Sequence, residues 1–306
     1  MELFSPARST LLWRPLTLGE REPYLRAASA AGSPSADYTF GNLYLWNDTY
    51  HQSLAYVGDH ALIRVTEDGG RFRYLFPIGA NDPSPAIELL FAEAKAAGQR
   101  LSIVGATEAQ LASLSPALLD RFTVTETRDH ADYLYRAESL ATLAGRKLHG
   151  KRNHINAFSA AHDWQLKPLT PADFDACRDI LAAWEANAEL ANIAEHRAIL
   201  RALDAFAELS LFGALLTVEG RPVAFTVGEM IGEDILCVHF EKALPDFRSA
   251  YPVINREFVR MVREQHPALS LVNREDDMGL DNLRAAKLSY LPELLLRKFA
   301  LQAKDL

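Results

Sequence analysis

The side chains best able to do chemistry in this sequence crowd into its last quarter. Asn273-Arg274-Glu275-Asp276-Asp277 is the densest polar run, and it precedes a segment where Leu280, Leu283, Arg284, Lys287 and Leu288 recur at spacings of three and four. That spacing predicts a helix with Leu280, Leu283 and Lys287 on one face and Arg284 and Leu288 beside them. Arg284 carries the planar fork that clamps a carboxylate or phosphate, whereas Lys287 is a mobile point charge. Asn273, Glu275 and Asp277 are candidates for binding substrate, the carboxylates for a cationic amino group in particular, and Asp276 also for handling a proton. The alternative is an ordinary salt-bridged loop and helix.

Another carboxylate lies in Val238-His239-Phe240-Glu241-Lys242, where apolar and polar residues alternate. The two-residue period of a strand places Val238 and Phe240 on one side and His239 and Glu241 on the other. Glu241 is a candidate general base, provided burial raises its pKa toward the working pH. The competing view is a solvated strand-end carboxylate paired with Lys242 or a neighbour. Between the two halves of the chain, Arg146, Lys147, His149, Lys151, Arg152 and His154 form a basic segment. Its helical phase sets Lys147, Lys151 and His154 on one side and turns Leu148, Ile155 and Phe158 toward a core. Lys151, Arg152 and His154 are candidate anion-binding residues, facing tRNA phosphates, a phospholipid head group or carboxylates of the other half. His149 and His154, five apart, are poorly spaced for a metal, and no metal is expected.

Bulk properties narrow the classes. The chain has 306 residues, 49% of them hydrophobic, enough for two ordinary cores. A net charge of -8, from 32 basic and 40 acidic side chains, argues against a protein that coats nucleic acid through its overall field, though a local patch is compatible with it. Cys177 and Cys237 show neither CxxC spacing nor a histidine at metal-ligand spacing, so buried free thiols are expected. Met1 to Trp13 lacks the basic start and long apolar core of a secretory leader, which points to the cytoplasm. No apolar run approaches the ~20 residues needed to cross a bilayer, so a lipid substrate would be met at the membrane surface.

The elements that must position these groups follow a repeated grammar. Trp13-Arg14-Pro15-Leu16-Thr17 with Glu20 is echoed by Leu166-Lys167-Pro168-Leu169-Thr170 with Asp173, half the chain away. Each copy reads as a short strand, a capping threonine and a helix. In the first half a hairpin turns at Glu67-Asp68-Gly69-Gly70 between strands 61–65 and 72–76, followed by a helix over 85–97 and a strand over 101–104. The second half predicts helices over 173–187 and 195–207, and strands over 214–218 and 223–230 joined at Glu219-Gly220-Arg221-Pro222. Strand 235–242, helix 252–265, strand 269–274, helix 279–287 and a terminal β-like run follow. Phe40, Tyr44 and Trp46 read as packing aromatics rather than a base-stacking platform.

This order and four stretches resemble a known family. Gly145-Arg146-Lys147-Leu148-His149-Gly150-Lys151-Arg152-Asn153-His154-Ile155-Asn156, Glu241-Lys242-Ala243 and the run from Asn273 to Tyr290 are similar to signatures of the phosphatidylglycerol lysyltransferase C-terminal-like family, as is Phe40-Gly41-Asn42-Leu43-Tyr44-Leu45-Trp46. The resemblance implies an α/β (α+β) fold of tandem duplicated GNAT-like acyltransferase lobes, with mixed sheets flanked by helices, one lobe over 1–163 with the basic linking helix and one over 164–306 with the cleft. It also implies relatives that move an aminoacyl group from aminoacyl-tRNA to a lipid hydroxyl. In such lobes the Glu241 strand lines the cleft, and Tyr290 stands where many GNAT enzymes keep a proton-donating tyrosine; anchoring of the last strand is the competing role for Tyr290.

An acyl-CoA-binding lobe cradles pyrophosphate on a glycine-rich turn. The corresponding segment here, 245–252, has no glycine, although Arg248, Ser249 and the following helix start are able to hold an anion. No cofactor is therefore required, and acyl-CoA is disfavoured. The reading favoured is aminoacyl transfer from aminoacyl-tRNA or another activated donor to a hydroxyl or amine of a lipid or small molecule. Glu241 or an acid of 275–277 would manage the proton, Arg284 and Lys287 would stabilise negative charge, and Arg248, Lys151 and Arg152 would steer an anion. Two alternatives stand beside it: an acyl-CoA-dependent N-acyltransferase, and a non-catalytic module that binds a ligand in an inherited cleft.

Overall fold

The computed structural model describes residues 11–187 and 192–305, so the stretch read as lacking a leader lies mostly outside the described residues. Fourteen strands are present among them: β1 (Arg14–Pro15), β2 (Gln52–Val57), β3 (His60–Thr66), β4 (Phe72–Leu75), β5 (Ser102–Thr107), β6 (Phe122–Glu126), β7 (Asp132–Arg136), β8 (Trp164–Pro168), β9 (Phe212–Val218), β10 (Arg221–Ile231), β11 (Ile235–Ala243), β12 (Leu271–Asn273), β13 (Leu294–Leu296) and β14 (Lys298–Ala303). They form two seven-stranded sheets, ordered β1-β2-β3-β4-β5-β14-β6 and β13-β7-β12-β11-β10-β9-β8. Each sheet is mixed and contains one parallel pair, β4 with β5 and β11 with β12.

The echo in the sequence is an echo in structure. β1 and β8 are each an edge strand paired antiparallel to the next strand of its own sheet, each followed by a 3-10 turn and a helix, Arg21–Ala31 or Phe174–Glu185. In the second copy Asp173 accepts hydrogen bonds from the Thr170 amide at 3.1 Å and its hydroxyl at 2.8 Å, the predicted capping pair. The hairpins and the helices Ser84–Ala96, Ile193–Asp204, Ala250–Gln265 and Asp281–Leu288 fall where hydrophobic periodicity and turn residues place them.

The division of the chain differs from a cut at 163/164. Among the described residues, one compact unit comprises 11–33, 50–127 and 297–305, and the other 34–49, 128–187 and 192–296. The reason is that each sheet draws its sixth strand from beyond its own run. β14, at the end of the chain, lies between β5 and β6 in the first sheet, the place that β7 takes between β12 and β13 in the second. The basic helix, His149–Ala161, belongs to the second unit, where Leu148, Ile155 and Phe158 are buried as the apolar phase predicts. The aromatic run 40–46 also belongs to the second unit, as a short helix, Phe40–Leu45, capped by the Thr39 hydroxyl.

β14 is therefore an interior strand rather than a frayed terminus, with Leu301 fully buried. Leu301→Ala is expected to cost about 2–5 kcal/mol, the range for emptying a packed core position. Urea unfolding of the full chain measures it; a loss below about 0.5 kcal/mol, the range of a surface position, would show that the strand contributes nothing.

Candidate functional site

The candidate site starts where two strands of the second unit part. β11 and β12 run parallel for three register pairs, Ile235 with Leu271 to Cys237 with Asn273. Beyond them β11 continues to Ala243, while residues 274 and 275 stay on β7 through the Arg274 amide to Tyr133 carbonyl bond and the Tyr133 amide to Glu275 carbonyl bond. Two polar contacts span the opening. His239 Nδ1 lies 2.8 Å from Glu275, and Arg274 donates to Glu241 at 3.4 Å.

His239 is the residue that breaks the strand's alternation. Val227 pairs with Phe240 but Gly228 pairs with Val238, so His239 is the extra residue of a β-bulge, which re-aims a side chain. Opposite it, a Cβ on Gly228 would collide with the Cys237 carbonyl oxygen, so only glycine permits this approach. The His239 ring is fully buried and meets carboxylates at both nitrogens, Glu229 at 2.9 Å on Nε2 and Glu275 on Nδ1. Burial alone would discharge the ring, yet its pKa is raised well above 6.5. Cys237 Sγ lies 3.9 Å from Nδ1, but burial pushes that thiol up to about 12 and leaves it neutral. We ascribe the raised value to the carboxylates, because two acceptors require both nitrogens to donate.

The expectation that neither cysteine has a histidine within metal-ligand reach is corrected here: Cys237, His239 and Glu275 offer three ligand-type atoms within 4.8 Å of one another. The Nδ1 to Glu275 separation is that of a hydrogen bond, and a bridging proton satisfies it.

Glu241 sits among cations and aromatic rings. Its side chain is only 9% exposed, and burial raises its pKa against the pull of Arg274, Asn255, Lys287 and Lys242. The Arg274 guanidinium lies 5.3 Å from the Tyr290 ring and 6.0 Å from that of Tyr135. Lys151 Nζ stands 4.1 Å above the Tyr290 ring, and burial followed by repulsion from Arg274 lowers its pKa. Tyr290 is buried, and that burial raises its phenol to about 12. The structure thus gathers predicted residues Glu241, Tyr290 and Lys151 and adds Arg274, which stands inside the predicted polar run but was assigned no role there.

Other predicted residues are engaged in holding this frame. Asn273 is fully buried, donating to the Pro34 carbonyl at 2.9 Å and to Asp132 at 3.1 Å, and accepting from the Glu275 amide at 2.7 Å. Asp277 is fully buried and receives Arg284 through two bonds of 2.9 and 2.8 Å, Arg128 at 3.2 Å, the Tyr133 hydroxyl and the Gly279 amide. Arg284 also holds Asp129 at 2.7 Å, so its fork is occupied within the protein. Lys287 Nζ donates to the Arg274 carbonyl at 2.6 Å and to the Asp276 carbonyl, clamping the loop from below rather than facing a ligand. Asp276 contacts His130 at 3.0 Å. Arg152 is spent on the carbonyls of Leu143 and Gly145, and His154, Arg248 and Ser249 are exposed without joining the cluster. These residues correct the expectation that the whole polar run converges on substrate. A separate cavity of about 680 Å³ opens in the first unit beside Arg71 and Gly98, and no predicted site residue lines it.

Comparison with known proteins gives this geometry a context. Residues 30–302 match the family described as phosphatidylglycerol lysyltransferase, C-terminal. The chain belongs to this family. Among solved structures, a conserved protein of unknown function from Bacteroides thetaiotaomicron is 33% identical, with a TM-score of 0.90 over 96% of this chain and 100% of that one. L-PGS from Bacillus licheniformis shares the fold at 14% identity and a TM-score of 0.70, over 97% of this chain and 95% of its own. A tandem GNAT protein from the clavulanic acid biosynthesis pathway does so at 12% identity and a TM-score of 0.52, over 96% and 98%. An uncharacterised protein of Mycoplasmoides gallisepticum is 25% identical over 176 residues, a match spanning 55% of this chain and 54% of that protein. The fold is thus the tandem GNAT-like arrangement of mixed sheets flanked by helices, and among the described residues no helix is long and apolar enough to cross a membrane.

Two measurements probe the frame. Arg284, Tyr133 and the Gly279 amide outweigh the burial that would raise Asp277, holding it well below the usual aspartate value. Its contribution to stability is then complete above about pH 4 and is lost as pH falls through the lower folded value. Asp277→Asn should cost about 3–5 kcal/mol at neutral pH, the penalty for breaking a buried pair, and flatten the acid limb of urea unfolding. His239 has the opposite sign: its contribution is complete below pH 6.5 and declines as pH rises through the raised folded value. The stability gap between wild type and His239→Gln should therefore narrow toward alkaline pH; a gap that widens there would refute the charged imidazole.

Proposed function

We propose that this chain transfers an aminoacyl group from an activated ester, aminoacyl-tRNA in the first instance, to a hydroxyl or amine on a lipid or small molecule. The observation that carries the reading is the buried Glu241, held at 3.4 Å from Arg274 across the parted strands with Tyr290 and Lys151 beside them. Membership of a family described by lysyl transfer supports the same choice. A carboxylate whose pKa is lifted by burial is a stronger base than a solvated one, as taking a proton from an attacking group requires. In this proposal the acceptor oxygen or nitrogen attacks the ester carbonyl and its proton passes to Glu241. The new bond to carbon forms, the ester bond to the donor breaks, and Glu241 returns the proton to the leaving oxygen. Arg274 and Lys151 offset the negative charge that builds on the carbonyl oxygen, and Tyr290 supplies a hydrogen-bond donor. No cofactor takes part, and the reaction belongs to the cytoplasm, where the donor is made.

The segment that would cradle a CoA pyrophosphate is a 3-10 turn, Pro245–Phe247, leading through exposed Arg248 and Ser249 into the helix Ala250–Gln265, without a glycine. This supports a donor other than acyl-CoA. The test is transfer of radiolabelled amino acid from charged tRNA to lipid and small-molecule acceptors. Glu241→Gln should lower kcat by about 10²–10⁴-fold, the contribution of a general base. In the wild type the acid limb of the rate profile should lie above pH 4.5, because Glu241 must be ionised to accept a proton. Micromolar binding of acetyl-CoA with acetyl transfer would overturn the donor assignment. Ligand binding that survives both Glu241→Gln and Tyr290→Phe, with no turnover from any donor, would overturn catalysis itself.

A further inference from the structure

The first unit holds a cavity that the transfer reaction leaves unused. It is bounded by the hairpin turn at 67–70, the start of β4, the end of the helix Ser84–Ala96 and the start of β5, and its volume is about 680 Å³. Ligand cavities commonly measure about 300–1,000 Å³, so there is room for a small molecule and not merely an ion. Arg71, Arg73 and Arg100 line it against one carboxylate among the described side chains, Glu67. Arg73 and Glu67 answer each other, Nε to carboxylate, at 3.1 Å. Arg71 and Arg100 are exposed and meet no carboxylate among the described residues, so the lining keeps a positive surplus in a chain of net charge -8.

Exposed arginines alone need no ligand, but a second observation points to one. Gln99 lines the same cavity, and its side-chain oxygen accepts the Phe72 amide at 3.4 Å. Because the Phe72 N–H is a donor, the oxygen of Gln99 must face it, which fixes the orientation of the side-chain amide. Gln99 Nε2 is then left buried with no acceptor among the described residues. Such orphaned donors are few in folded proteins and costly, and an acceptor oxygen on a ligand would relieve this one. The neighbouring helix end would by its dipole favour a cation. That bias is blunted, because the carbonyls of Glu93, Ala94 and Lys95 are taken by the amides of residues 97, 98 and 99.

Guanidinium forks beside a neutral donor match the several acceptor oxygens of a phosphate. Phe72, the aromatic residue of the lining, gives an apolar surface for whatever the phosphate is attached to. RNA is met by an open basic surface, whereas these groups line a hollow and one of the donors is buried. We propose that this cavity binds a phosphorylated small molecule, with the phosphate on Arg71, Arg100 and the Gln99 amide and the organic body against Phe72. All four residues belong to the first unit, so the site is distinct from the Glu241 cluster and does not rest on the transfer reaction.

Isothermal titration calorimetry of the full chain with ribose 5-phosphate, inorganic phosphate and ribose tests this. Ribose 5-phosphate should bind one site with a Kd below about 1 mM, inorganic phosphate should bind more weakly, and ribose should give no heat. Added salt should weaken binding. Arg71→Ser combined with Arg100→Ser should lower affinity by about tenfold or more through loss of charge-assisted bonds, and the urea midpoint should stay where it is because both side chains are exposed. Gln99→Glu keeps an acceptor for the Phe72 amide but sets a negative charge where the donor stood, and it should abolish binding. Glu241→Gln should bind like the wild type. Circular dichroism checks the fold of each variant, and the exposed arginine pair decides the matter by itself. Wild type that binds neither phosphate, undiminished binding by the arginine or Gln99 variant, or binding lost in Glu241→Gln would refute the site. Inorganic phosphate bound as tightly as the ester would refute the organic ligand, as would binding of RNA with both small phosphates inert.

Discussion

The parting of β11 from β12 after three register pairs is the constraint on which the second unit depends. Backbone that leaves a sheet exposes polar groups; Tyr133 of β7 satisfies the Arg274 amide and the Glu275 carbonyl, while the Lys287 ammonium takes the Arg274 carbonyl and the Asn273 side chain the Glu275 amide. The opening so created is narrow enough for side chains to bridge. His239 to Glu275 and Arg274 to Glu241 do so, one as a charged hydrogen bond and one as a longer ion pair.

The polar run 273–277 therefore divides by function. Asn273, Asp277, Arg284 and Lys287 supply the bonds that keep a nonrepetitive loop in place, and Glu275 closes one side of the gap. Arg274 alone turns toward Glu241, where it limits but does not cancel the effect of burial on that carboxylate. A stiff, fully bonded frame around a lightly bonded pair is the arrangement expected of a preorganised site, since groups that must act on a ligand cannot be spent on the protein.

The same logic separates the basic residues of the middle segment. Arg152 is consumed by two carbonyls and Lys151 leans over Tyr290. Arg146 and Lys147, just ahead of the helix, remain in water. One short acid-free stretch thus contributes to the interior of the site through Lys151, on the helix, and to the outer surface through Arg146 and Lys147, ahead of it.

Local features were legible from sequence. The hairpin turn at Glu219-Gly220, the capping pair of Thr170 and Asp173, and the amphipathic phase of Leu148, Ile155 and Phe158 act over a few residues, and near neighbours determine them. The two-residue period could not reveal the bulge at His239, because an extra residue is set by pairing with Val227 and Gly228 on another strand. Nor could it show that β7 and β14 enter sheets away from the strands that precede them in the chain, which is why a boundary at 163 misplaces them. The residue types of the site were visible in Glu241, Lys151 and Tyr290. Which cation each carboxylate meets was decided only by tertiary structure, since ion pairs between Arg274 and Glu241 or Arg128 and Asp277 join residues that no sequence spacing brings together.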